Sequence, residues 1–122
     1  MGFASPAADY AEQTISLDKL LIPKPTSTYF VRASETSYRD GLIKDALLVI
    51  DSAARPCDGS IIVCAVRGEF AVMRYKALPS PHVVSLLSGA RENLEDEDRV
   101  FGVVTYIIND ARTMEFDDCP VM

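Results

Sequence analysis

The chain has 122 residues, 48% of them hydrophobic, with a formal net charge of −6, seven prolines, six glycines and three cysteines. That length suits one domain with one core, and this composition excludes an intrinsically disordered chain. The longest apolar runs, Ile61 to Val66 and Val100 to Ile108, fall far short of the roughly 20 residues of a membrane helix, so no span is expected.

The opening Met1-Gly2-Phe3-Ala4-Ser5-Pro6 lacks the basic region and apolar stretch of a secretion signal, which leads to an expected cytoplasmic location. Cys57, Cys64 and Cys119 are an odd set with no Cys-x-x-Cys pair. They read as free thiols rather than a disulfide framework or a zinc site, with Cys64 a small core residue. Acidic residues gather at Glu92, Glu95, Asp96, Glu97 and Asp98, and again at Glu115, Asp117 and Asp118. The first group reads as a solvated loop. Phosphate backbones are repelled by such a surface, so a role in DNA metabolism would run through protein partners.

Taken in order, residues 1–15 form an extended arm with no sustained hydrophobic period, followed by a domain over 16–110 and a tail over 111–122. Ser16 is placed to cap a short helix whose Leu17, Leu20 and Leu21 share one face, and Pro23 and Pro25 end it. Thr28 to Ala33 is rich in β-branched and aromatic residues and marks a first strand. Leu47 to Asp51 is the next, closed by the turn Arg55-Pro56-Cys57-Asp58-Gly59. Ser60 to Val66 and Glu69 to Tyr75 are joined by Arg67-Gly68, a two-residue connection of the hairpin type. His82 to Leu86 and Val100 to Ile108 complete a mainly β fold of short, mostly antiparallel strands. The last strand holds more apolar surface than one half-buried strand needs, which points to a homodimer with this strand at or near the interface.

No Walker loop, dinucleotide fingerprint, EF-hand or His-Glu-x-x-His helix is present, so no cofactor or metal is expected. His82, the only histidine, reads as a plain surface residue at a strand start. From the residues alone the chain is an acidic β domain.

A set of short blocks in fixed order carries the reading further. Ser5-Pro6-Ala7-Ala8-Asp9-Tyr10, Glu12-Gln13, Leu20-Leu21-Ile22, Thr28-Tyr29-Phe30-Val31, Ala33-Ser34, Asp40-Gly41, Leu47-Leu48, Asp51-Ser52-Ala53, Gly68-Glu69-Phe70 and Val100-Phe101-Gly102-Val103-Val104 resemble the LexA/UmuD family of self-cleaving serine-lysine peptidases. The likeness covers residues 2 to about 108 and is nearest to the processed UmuD′ form. It implies a LexA/UmuD-like β domain with a serine nucleophile, which maps to Ser37, and a lysine base three residues after Gly68-Glu69-Phe70, which maps to Met73. A lysine activates a serine only when burial leaves it neutral. A thioether accepts no proton, and the guanidinium of Arg74 stays charged. Lys76 lies three residues along the strand from position 73, at an odd separation, and so is not expected to reach Ser37.

The serine motif departs from the family's Gly-Asp-Ser-Met, reading Glu35-Thr36-Ser37-Tyr38, and one residue is missing between Gly41 and Leu47. The chain begins with Met1 directly before Gly2, where the family is cut, so the removable segment is expected to be absent and self-cleavage lost. The resemblance implies a homodimer that serves a UmuC-like Y-family polymerase in SOS mutagenesis, meets RecA filaments and pairs with full-length UmuD-type chains. An active serine peptidase and a repressor-type dimerisation domain are the alternative readings.

Overall fold

A computed structural model of the chain describes residues 15–66, 68–94 and 99–112. One short helix, α1 (Leu17–Leu21), precedes seven strands: β1 (Thr28–Arg32), β2 (Leu47–Asp51), β3 (Ile61–Val66), β4 (Glu69–Lys76), β5 (His82–Ser85), β6 (Arg91–Asn93) and β7 (Val100–Ile108). They form one sheet in the order β1-β2-β7-β3-β4-β5-β6, and every pairing between these strands is antiparallel. The mainly β, antiparallel class read from the sequence is the class observed. No helix among the described residues is long and apolar enough to cross a membrane.

Strand alternation separates the apolar residues into two clusters. Leu48, Ile50, Val63 and Leu86 pack with Ala33, Leu42 and Ala46 on one face. Ile62, Cys64, Met73 and Val83 pack on the other. The β3–β4 register sets Ile62 opposite Met73 and Val63 opposite Val72, so successive residues of β4 address different clusters. The hairpin turns through Gly68, whose φ of +82° lies in the region that suits glycine.

Strand β7 sits between β2 and β3 and is hydrogen-bonded along both edges. Its apolar content is therefore first of all that of a central strand. A side chain at Gly102 would have no room: an added Cβ would stand 2.6 Å from Ile50 Cγ2 and 3.0 Å from Asp51 O. Because one of those contacts is backbone of the neighbouring strand, Gly102→Ala should cost about 1–3 kcal/mol through overpacking. Urea denaturation measures this, and an unchanged midpoint would contradict it.

Ser16 caps α1 as expected, its Oγ accepting from Lys19 N at 3.4 Å. The leucine face is not buried, however: Leu17 is 62% and Leu20 51% exposed. The surface reading of His82 is overturned, since it is 4% exposed. Its Nδ1 lies 2.8 Å from Ser80 O and its Nε2 3.1 Å from Arg91 Nη2. Arginine only donates and a carbonyl only accepts, so the ring is held with its proton on Nδ1. The partner that makes burial tolerable, Arg91, lies on β6, a strand absent from the sequence reading. Glu92 likewise belongs to β6 rather than to a solvated loop, and is half-buried within 3.5 Å of Arg99. Residues 1–14 of the arm, 95–98 of the acidic group, and 113–122, which hold Glu115, Asp117, Asp118 and Cys119, lie outside the described residues.

Candidate functional site

Beyond β1 the chain enters a tight loop at residues 37–42. The Ser37 N–H donates to Leu42 O at 2.8 Å and the Leu42 N–H returns to Ser37 O at 3.0 Å, closing the loop at its neck. Gly41 makes the turn at φ +75°, a conformation costly for other residues. Asn109, just past β7, fastens the loop from outside: its Nδ2 donates to Gly41 O at 2.9 Å and its Oδ1 accepts from Ile43 N at 3.3 Å. Residues far apart in sequence thus fix where Ser37 stands.

Ser37 is 8% exposed. Its Oγ donates to Asp40 Oδ2 at 2.5 Å, with Leu86 O a more distant acceptor at 3.4 Å. A hydroxyl has one proton, and the short bond to the carboxylate takes it. The other Asp40 oxygen accepts from Arg74 Nη2 at 2.5 Å, and Arg74 Nη1 donates to Gly59 O at 2.6 Å. A continuous chain therefore runs from the Gly59 turn through Arg74 and Asp40 to Ser37. Burial pushes the Asp40 carboxyl up, but the Ser37 and Arg74 hydrogen bonds, with the charges of Arg74 and Arg39, outweigh it and hold the pKa below its ordinary value.

This arrangement is poorly suited to nucleophilic attack. A general base works best with a pKa near the working pH, and Asp40 is displaced the other way. The Ser37 N–H is already spent on Leu42 O and so is not free to stabilise an oxyanion. Met73 is 6% exposed and packs with Ile62, Cys64 and Val83, whereas Leu42 and Leu86, the neighbours of Ser37, belong to the opposite cluster. The residue that β4 offers to the serine loop is Arg74, one position on. Lys76 follows on the same face and lines, with Arg39, Asp40 and Arg74, a groove of about 420 Å³. The odd separation of Lys76 from Met73 does not carry it away from the serine loop but sets it on that loop's side of the sheet.

A second groove, of about 320 Å³, opens between β1 and β4, and its lining mixes Val31, Phe70, Met73 and Leu86 with the charged Arg32, Glu35 and Glu69. Phe101 packs its ring between Tyr29 and Phe70, with ring centroids 5.3 Å and 5.7 Å apart respectively.

Residues 1–104 match the Peptidase S24-like family. The chain belongs to that family. Protein ImpA of Salmonella typhimurium is 39% identical over 116 residues, spanning 93% of this chain and 80% of ImpA. Protein SamA of Salmonella typhimurium (strain LT2) is 36% identical over 115 residues, 93% of this chain and 82% of SamA. Protein MucA of Escherichia coli is 34% identical over 110 residues, 86% of this chain and 75% of MucA. Within this family fold, sequence reasoning named positions 37 and 73 and missed the Asp40–Arg74 pair that ties up the serine. The signal was present in strand alternation, which sends neighbours 73 and 74 to opposite faces.

Proposed function

We propose that this S24-like chain is a UmuD′-like accessory subunit of an error-prone, polymerase V type Y-family polymerase, acting in SOS translesion synthesis with self-cleavage lost. The observation that carries the reading is the serine site, where Ser37 donates to Asp40 and the β4 residue reaching that pair is a charged arginine. A peptidase fold without a competent base is left with its surfaces, and its net charge of −6 favours protein partners over DNA. The implied partners are a second copy, a UmuC-like polymerase, the RecA filament and a full-length UmuD-type chain. Ser37 is then a relict of the nucleophile, and Met73, at the sequence position of the family's lysine base, packs in the cluster on the other face. The rival, an active peptidase, needs Ser37 to shed its proton to a group other than Asp40.

The test is primer extension across an abasic site by a UmuC-type polymerase with RecA filaments. Addition of this protein should raise bypass, and Ser37→Ala should do so equally. Bypass that is unchanged by the protein would reject the reading.

The homodimer draws support from exposed apolar groups that lie close together. Leu20 lines, with Leu21, Val103, Val104 and Tyr106, a groove beside β7, and Tyr106 and Ile108 at the end of that strand are 38% and 40% exposed. Leu17→Asp with Leu20→Asp should convert a dimer to a monomer of 13.4 kDa in sedimentation at micromolar concentration, whereas wild-type protein that is already monomeric there would reject the dimer.

A further inference from the structure

Around the Ser37 loop the sign of the surface departs from that of the whole chain. Arg39 follows the serine, while Arg74 and Lys76 stand two residues apart on one face of β4, and all three line one groove with Val84, Ser85 and Leu86. Asp40 is the only acid in that lining and is committed to Arg74 and Ser37. Among the described residues no carboxylate makes an ion pair with Arg39 or Lys76. Three cations thus face one acid in a chain whose net charge is −6.

We infer that this groove is a docking site for a short acidic peptide segment of a protein partner. Arg74 is already anchored to Gly59 O and Asp40, so it stays in place as a fixed positive wall. Lys76 and Arg39, the latter held only by a long 3.5 Å hydrogen bond to Leu86 O and by its pull on Asp40, supply the charges for a ligand carboxylate, and the Val84 and Leu86 side chains offer an apolar floor for the peptide's side-chain stems. The space, about 420 Å³, admits a few side chains. A nucleic-acid backbone is disfavoured because its continuous charge would also meet the chain's acidic excess, whereas a short peptide feels mainly the local field, screened beyond a Debye length of about 10 Å. The inference does not depend on the polymerase role: it concerns this groove whatever the assembly.

The experiment is fluorescence anisotropy with a labelled hexapeptide of alternating Asp and Glu, using a labelled oligothymidylate of equal charge as comparison. The peptide should bind wild-type protein, and binding should weaken on raising salt from about 50 to about 300 mM. Arg39→Glu and Lys76→Glu should each weaken it about tenfold or more, and Lys19→Glu on α1 less than twofold. Amide shifts on titrating wild-type protein should concentrate at residues 39, 76 and 84–86, which keeps the test decisive even if a variant misfolds. No peptide binding, equal binding to the Arg39→Glu/Lys76→Glu double variant, shifts confined elsewhere, or tighter binding of the oligothymidylate would each overturn the inference.

Discussion

Replacing Met73 by lysine should destabilise the protein by about 4 kcal/mol or more at neutral pH, and should not restore cleavage. The thioether is enclosed by Ile62, Cys64 and Val83, and an ammonium placed there must either be desolvated or give up its proton. Buried lysines lose several pKa units, each worth about 1.4 kcal/mol. The sign of the pH dependence follows: the unfolded lysine binds a proton up to about pH 10.4 and the folded one does not, so the deficit shrinks as pH rises toward that value. Urea denaturation at neutral and alkaline pH measures it. A Met73→Lys protein as stable as the wild type, or one that cleaves a UmuD-type substrate through Ser37, would show that residue 73 reaches the serine after all.

Arg74→Leu should cost about 2–3 kcal/mol near neutral pH, because it leaves the Asp40 carboxylate, whose side chain is 7% exposed, without its charged partner. Its effect should depend on pH in the opposite sense to that of Met73→Lys. Although burial works against it, the Asp40 pKa is lowered on folding by Ser37 and Arg74, from an ordinary 3.8. The stability it contributes is therefore fully present above that value and is lost as pH falls through the lower, folded one. The gap between wild type and Arg74→Leu should thus be widest above about pH 5 and close below about 3.8. A gap of constant size from pH 7 to pH 3 would mean that the Asp40–Arg74 pair contributes nothing specific.

Much of the sheet was legible because its strands are locally marked. Leu47–Asp51, Ile61–Val66 and Val100–Ile108 are apolar, β-branched runs bounded by turn residues, and they form the centre of the sheet. Strand β6, Arg-Glu-Asn, carries no such signal. It exists because β5 offers a free edge, and its Arg91 supplies the donor that lets His82 be buried. The resemblance proposes family positions for the site but not its wiring. Ser37 and Met73 followed from ordered sequence blocks, whereas the pairing of Asp40 with Arg74 depends on how a loop before β2 meets a strand more than thirty residues later. Alternation alone sends Arg74 away from the Met73 cluster. What awaits it on the other side is a product of the tertiary fold.

Ser37 is held as a hydrogen-bond donor to Asp40, and we propose that it does not act as a nucleophile. Incubating the purified protein with a fluorophosphonate and weighing the intact chain by mass spectrometry tests this most directly, at neutral and mildly alkaline pH. An unmodified mass is expected under both conditions. A stoichiometric adduct that disappears in Ser37→Ala would contradict it.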